Sequence, residues 1–164
     1  MNDLSNLEAT LNYRFLNRQH LITALTHPSM GGRHNQRMEF LGDAVLELVV
    51  SRELFSLYPK ADEGVLTKMR SAIVSRAHLA ELCGKLGWGE HLVMSPQLEK
   101  TGGRSALSIL ANTFESVMGA VMMDSNYNAA RKVALRLLSE SLNKAHTLIS
   151  INYKGELLEK LQAI

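Results

Sequence analysis

The chain has 164 residues, of which 46% are hydrophobic and 21% are charged, with three Pro and eleven Gly. This length and composition are typical of one globular domain with its own core, and they exclude disordered, collagen-like and low-complexity linker proteins. The 18 Lys and Arg against 16 Asp and Glu leave a formal net charge of +2, which permits a nucleic-acid partner without requiring one. Leu, Ala, Met and Glu outnumber Val, Tyr and Thr, which favours an all-α fold.

Hydrophobic periodicity predicts a series of helices and no strand. Pro28 ends the second helix, Tyr58-Pro59 ends the long third helix, and Asp62 is a candidate N-cap for the fourth. Residues 95–105 are predicted to form a loop, because they combine Ser, Pro, Gly and charged residues. In chain order, the predicted helices cover residues 4–11, 19–26, 35–57, 62–74, 77–86, 106–123 and 127–145, with a last helix from Tyr153 onward.

The cellular location is predicted from three absences in the sequence. A single cysteine, Cys83, cannot form an internal disulfide, which is typical of a reducing compartment. The N-terminal segment lacks the basic and apolar regions of a signal peptide. No apolar run reaches the roughly 18 residues that a membrane-spanning helix requires. These features predict a cytoplasmic protein with no membrane association.

The long helix over 35–57 contains two acids in an apolar setting. Glu39 and Asp43 are four residues apart, so they lie about 40° apart around a helix. The helix is apolar on nearly all sides, which indicates that it is buried. Buried carboxylates are unstable unless they are paired with a positive group or bind a metal. A positive group is therefore expected beside this pair.

The apolar helix over 106–123 repeats the pattern with Asn112 and Glu115, about 60° apart around the helix. Gly42 and Gly119 lie beside the acids, where a missing side chain would let the two helices approach closely. Three carboxylates and one amide oxygen would then converge as hard ligands suited to Mg²⁺ or Mn²⁺. A Glu/Asp pair four residues apart is also common on a solvated helix face or in salt bridges, and spacing alone leaves that alternative open.

The stretch NQRMEFLGDAVL, residues 35–46, resembles the signature N-E-R-L-E-F-L-G-D-A/S-V-L of the ribonuclease III family. It departs from that signature at Gln36 and Met38. The resemblance extends over roughly residues 4–146, because further family motifs follow in the family's order. They are ALTHPS (24–29), DEGVLTKMRSAIVS (62–75), KTGGR (100–104) and SILANTFESVMGAVMMD (108–124).

This resemblance implies an all-helical endonuclease domain that acts as a homodimer on double-stranded RNA, with Mg²⁺ as its cofactor and Mn²⁺ as a substitute. Glu39 and Glu115 take the positions of metal ligands. Asp43 takes that of the paired catalytic carboxylate and is expected to orient or deprotonate the attacking water. Glu115 is expected to be catalytic as well as metal-binding. Asn112 stands where the family has Asp, and is expected to be the third ligand. No organic cofactor is implied.

Glu63, in the DEG motif, is acidic in the family too, and is expected near the site but outside the ligand set. An acid in the first turn of a helix is the equally simple interpretation. Duplex RNA is recognised through its phosphates and 2′-hydroxyls, and each candidate for a phosphate contact is also readily explained as a solvated base. These candidates are Lys68, Arg70, Arg76, Lys100 and Arg104.

The resemblance divides the chain into an endonuclease domain over 1–150 and a linker over 151–164. The tail YKGELLEKLQ, residues 153–162, resembles the first helix of a double-stranded RNA-binding domain. This predicts a protein whose RNA-binding domain has been removed, with a naturally short relative of the Mini-III type as the alternative. The family function implied is rRNA and mRNA precursor processing, leaving 5′-phosphate and 3′-hydroxyl ends. The alternative is a non-catalytic RNA-binding or ribosome-associated relative, which Asn112 favours and the three acids disfavour.

Overall fold

The computed structural model describes residues 4–145 and 147, and the described residues form nine α-helices. The prediction of an all-α fold is confirmed. The one extended pairing in this part of the chain is an isolated bridge between Thr26 and Val93. The helices are α1 Ser5–Leu11, α2 Arg18–Leu25, α3 Gln36–Leu57, α4 Glu63–Ile73, α5 Arg76–Lys85, α6 Pro96–Lys100, α7 Leu107–Asp124, α8 Tyr127–Leu137 and α9 Ser139–Asn143.

Helices α3 and α7 form the centre of the molecule and touch backbone to backbone. A Cβ atom added at Gly42 would lie 1.7 Å from the carbonyl oxygen of Glu115, and one added at Gly119 would lie 2.1 Å from that of Met38. No other residue fits at either position without moving the helices apart. The close approach predicted from these two glycines is therefore confirmed, and it brings the acid-bearing turns of α3 and α7 side by side.

An aromatic pair ties the N-terminal segment to the core around α7. The rings of Trp88 and Phe114 are stacked with centroids 5.4 Å apart, and both side chains are fully buried. The indole Nε1–H of Trp88 donates a hydrogen bond of 2.8 Å to the hydroxyl of Thr10 in α1. The polar edge of this buried ring is thus satisfied while its faces fill the core.

Most helix starts follow the expected capping chemistry. The carboxylate of Asp62 accepts a hydrogen bond of 2.8 Å from the backbone N–H of Val65, as predicted. A short helix also begins inside the predicted loop over 95–105, because the hydroxyl of Ser95 accepts from Leu98 N–H and Pro96 occupies the first helical position. That Ser-Pro pair is a helix-start signal, so the loop prediction was wrong at α6.

The predicted helix over 127–145 is interrupted at Leu138, which separates α8 from α9. Contacts with distant elements hold α9 in its own direction. The hydroxyl of Tyr58 donates to the carbonyl oxygen of Leu142 at 3.2 Å, and the ring Nε2 of His78 lies 2.6 Å from the hydroxyl of Ser141. Helical periodicity does not register such contacts, which explains the error.

Helix α3 is only partly buried, contrary to the prediction from its apolar sequence. Its side facing α7 is packed, but Phe40, Leu48 and Phe55 are 81%, 55% and 73% exposed. Residues 116–121 of α7, in contrast, are all buried. The uncovered apolar surface therefore belongs to α3.

None of the described helices is both long enough and apolar enough to cross a lipid bilayer. The helix predicted from Tyr153 and the linker predicted over 151–164 lie outside the described residues.

Candidate active site

Four polar side chains gather where α3 and α7 meet. Glu39 and Asp43 come from α3, and Asn112 and Glu115 come from α7. The side-chain amide of Asn112 lies beside the carboxylate of Glu39 and acts to lower its pKa. Glu39 and Glu115 are partly buried, whereas Asp43 is exposed at the edge of the group. The structure thus brings together the residues predicted from the sequence to be catalytic or metal-binding.

The negative charges of Glu39, Asp43 and Glu115 repel one another, which makes ionisation of the two glutamates less favourable. Burial raises the pKa of Glu115 to about 7, and the nearby charges of Asp43 and Glu39 act in the same direction. Burial likewise raises the pKa of Glu39, with a further upward effect from Asp43. A perturbed, partly buried group of acids is characteristic of functional sites, and it would be stabilised by a cation.

Arg76, at the start of α5, supplies positive charge to this group. Its guanidinium acts to lower the pKa of both Glu39 and Glu115, opposing the effect of burial. The sequence predicted that a positive group lies here but not which one. Arg76 is remote in the chain from both acids, so only its interpretation as a basic residue able to contact phosphate was accessible from sequence.

The four residues offer only oxygen ligands. In the described part of the chain, no three His, Cys, Asp or Glu side chains are gathered closely enough to enclose an ion by themselves. Mg²⁺ does not require such a cage, since it commonly retains several waters and takes one or two carboxylates from the protein. The donor chemistry of Glu39, Asn112 and Glu115 therefore fits a hydrated Mg²⁺ ion.

Glu63 lies in a different part of the same chain. It is exposed, its carboxylate accepts a hydrogen bond of 2.8 Å from the hydroxyl of Thr67, and it lines a depression of about 370 Å³ beside Ser51 and Phe55. Those two residues follow Asp43 by eight and twelve positions in α3, or about 12–18 Å along the helix axis. Within one chain, Glu63 is thus separated from the other site residues.

Arg104, one of the bases considered for contact with RNA phosphate, instead stabilises a loop. Its guanidinium pairs with the carboxylate of Glu99 at 2.6 Å and donates to the carbonyl oxygens of Gly89, Glu90 and Leu92 at 3.1, 3.3 and 2.8 Å. These bonds occupy its Nε and Nη1 donors within the protein. We therefore assign Arg104 a structural role.

A small polar cavity adjoins the acids and includes residues that the sequence did not single out. It has a volume of about 120 Å³ and is lined by His27, Asn35, Glu39 and Asn112, among others. Burial lowers the pKa of His27, and nearby His34 acts in the same direction. Asn35 opens the motif over 35–46 and was interpreted only as a helix start, so the sequence offered no sign of its place beside the site.

Comparison with known proteins identifies the family. The family model described as Ribonuclease-III-like matches residues 17–142. Ribonuclease 3 of Sulfurovum sp. (strain NBC37-1) is 41% identical over 165 residues, which cover 99% of this chain and 74% of that protein. Ribonuclease 3 of Aliarcobacter butzleri is 39% identical with the same coverage.

Among solved structures, the chain is similar to the nuclease domain of ribonuclease III from Campylobacter jejuni, in which a region involved in dimer formation is structurally flexible. The TM-score is 0.82 at 38% identity, covering 85% of this chain and 98% of that one. The helical fold, the order of the motifs and the similarity along nearly the whole chain all indicate the same family. The chain therefore belongs to the ribonuclease III family of endoribonucleases.

Proposed function

We propose that this protein is a Mg²⁺-dependent endoribonuclease that cuts double-stranded RNA as a homodimer and leaves 5′-phosphate and 3′-hydroxyl ends. The observation that carries the proposal is the group of Glu39, Asp43, Asn112 and Glu115 at the α3–α7 contact, with Arg76 beside it. Mn²⁺ is expected to replace Mg²⁺, because the ligands are all oxygens. By family membership, we further propose rRNA and mRNA precursors in the cytoplasm as its substrates.

Each residue has a distinct role in this proposal. Glu39, Asn112 and Glu115 would hold the ion, which when bound neutralises phosphate oxygens and lowers the pKa of water. Asp43 is the most exposed acid of the group, so it is accessible to the attacking water and would accept its proton. Arg76 would bind the phosphate next to the acids, where its positive charge already acts on Glu39 and Glu115.

The homodimer is supported by the uncovered apolar face of α3. Phe40 follows Glu39 directly and is 81% exposed, while the depression beside Phe55 offers an apolar space of about 370 Å³. We propose a two-fold axis in this face that places Phe40 of each subunit over the depression of the other. Because Glu63 lines that depression, the same arrangement would bring it toward the acids next to Phe40, as expected of a residue near the site.

A cleavage assay tests the catalytic proposal. A plain RNA duplex is incubated with the protein in Mg²⁺ and in EDTA, with duplex DNA and single-stranded RNA of the same sequence as controls. We expect cuts in duplex RNA only, with Mg²⁺ only, and 5′-phosphate ends that a ligase accepts. Binding of the duplex without cleavage at any Mg²⁺ concentration would instead support the non-catalytic alternative, which the neutral side chain of Asn112 favours.

A further inference from the structure

Asn35 is a buried asparagine whose side chain does not cap the helix that it precedes. Asn17 and Asn126 occupy the same position before α2 and α8, and both accept a capping hydrogen bond. Asn35 has a helical backbone conformation (φ −74°, ψ −18°), and its side chain makes no capping bond. It is only 2% exposed, and its Oδ1 atom has no hydrogen-bond partner within the described chain. A buried acceptor of this kind is unfavourable unless something else binds it.

Asn35 is one of the residues that border the cavity next to the candidate active site. The same cavity of about 120 Å³ is lined by Glu39 and Asn112, two of the proposed metal-binding residues, and by His27. Its volume exceeds the roughly 10–15 Å³ of probe-occupied space that a single water molecule needs. The cavity thus adjoins both Asn35 and Glu39.

The hydrogen-bonding groups around the cavity match a water molecule. The Nδ1 atom of His27 accepts a hydrogen bond of 3.0 Å from the backbone N–H of Ser29, so the neutral ring carries its hydrogen on Nε2. That nitrogen is a donor and not a metal ligand. Asn35 Oδ1 and the Glu39 carboxylate are acceptors. Two acceptors and one donor satisfy both hydrogens and one lone pair of a water molecule.

We infer that this cavity binds an ordered water molecule, and that Asn35 and His27 are positioning residues that hold the Glu39 carboxylate in its metal-binding orientation. The inference rests on the proposed function, in which Glu39 is a metal ligand. A carboxylate that is held by hydrogen bonds to its oxygen facing away from the metal needs less reorganisation to bind the metal ion. Loss of such supporting hydrogen bonds typically weakens metal binding about 10–100-fold.

The decisive variant is Asn35→Leu, which keeps the approximate shape of the side chain and removes the acceptor. Mn²⁺ alone is titrated against the full chain, with free Mn²⁺ followed by electron paramagnetic resonance. We expect affinity to fall about 10–100-fold, and the Mg²⁺ needed for half-maximal cleavage to rise in parallel. The Tm in EDTA should be unchanged or higher, because an unsatisfied buried acceptor has been removed.

Three further variants separate positioning from folding. Asn35→Asp retains an oxygen acceptor, so its Mn²⁺ affinity should not fall below that of the wild type, while the added buried charge should lower its Tm in EDTA. His27→Asn can still accept from Ser29 N–H but loses the ring donor, so Mn²⁺ affinity should fall. Asn126→Leu is the matched control, because it removes an asparagine that does cap its helix. It should lower the Tm and leave Mn²⁺ affinity unchanged.

The outcomes distinguish this inference from the proposed function. Wild-type protein that binds Mn²⁺ and cuts duplex RNA, together with an Asn35→Leu variant of equal Mn²⁺ affinity, would overturn the inference alone. A loss of affinity in Asn35→Leu that comes with a lower Tm and is not avoided in Asn35→Asp would show a structural role and overturn it as well. Wild-type protein that neither binds Mn²⁺ nor cuts RNA would overturn both.

Discussion

The carboxyl group of Glu115 titrates near neutrality because burial and two neighbouring acids disfavour its charge. A raised pKa means that the folded protein binds this proton more tightly than the unfolded chain does. Its contribution to stability is therefore greatest below pH 4.5, the ordinary value, and declines as the pH rises to about 7. Above that range, the carboxylate is ionised in both states, and its charge lowers the free energy of unfolding of the metal-free protein.

Glu115→Gln should remove this destabilising charge. In EDTA at pH 8, we expect the variant to be more stable than the wild type by about 1–3 kcal/mol after allowance for solvent screening. The difference should disappear near pH 4.5, where both side chains are neutral. Urea denaturation across this pH range checks the prediction, and an unchanged difference at both ends would contradict it. The same variant should not cut duplex RNA, because a charged ligand has been lost.

Asn112→Asp should tighten Mg²⁺ binding and weaken the metal-free fold. The change adds a fourth negative charge, and charge count raises the affinity of oxygen sites for hard cations. It also replaces the favourable effect of the Asn112 amide on the Glu39 carboxylate with repulsion between two carboxylates. Titrating Mg²⁺ against the initial cleavage rate should give a lower half-saturation concentration, and the Tm in EDTA should fall. An unchanged half-saturation point would mean that Asn112 is not a ligand.

At the level of the helices, the glycines of the α3–α7 contact carry a stability prediction. Gly42→Ala places a methyl group 1.7 Å from a backbone oxygen of α7, and backbone cannot yield as a flexible side chain can. We expect a loss of about 3 kcal/mol or more in urea denaturation, at or beyond the usual upper range for overpacking. The acids should also separate, so cleavage should fall.

Gly84→Ala is the control for this change. Gly84 lies in α5, and a Cβ atom added there meets nothing within 4 Å. Alanine favours a helix over glycine by roughly 0.8–1 kcal/mol, so this variant should be slightly more stable than the wild type. If both glycine variants shifted stability equally, the close contact between α3 and α7 would not be the cause.

At the level of the whole molecule, the exposed face of α3 carries the prediction of a homodimer. Phe40→Asp places a charge in the proposed interface, and sedimentation at micromolar concentration should show a monomer where the wild type shows a dimer. Leu16→Asp is the matched control, because Leu16 is 89% exposed but lies outside α3. It should remain dimeric. A wild type that sediments as an 18.2 kDa monomer would refute the dimer.

Much of the architecture was predictable because its signals are local. Apolar spacing located α3 and α7 to within one residue at each end. The capping carboxylate of Asp62 accepts a hydrogen bond from a backbone N–H only three residues further along the chain. The proximity of Glu39 and Asp43 to Asn112 and Glu115 also followed from sequence, since Gly42 and Gly119 mark where two apolar helices can touch. In each case, the deciding interaction is a helical turn or a side chain too small to separate two backbones.

Other features depended on contacts between residues far apart in the chain. Arg76 lies beside Glu39 and Glu115 only because α5 packs against α7, and the unused acceptor of Asn35 is visible only once its helix start is folded. For the same reason, the exposure of one face of α3 could not be predicted. An apolar sequence indicates that a helix face is unfavourable in water, but it does not indicate which other element covers that face. Sequence by itself determined most of the helices, the family and the acidic residues of the candidate site; tertiary packing decided their charge partner, the polar cavity and the exposed apolar face of α3, because burial is a property of the assembled fold.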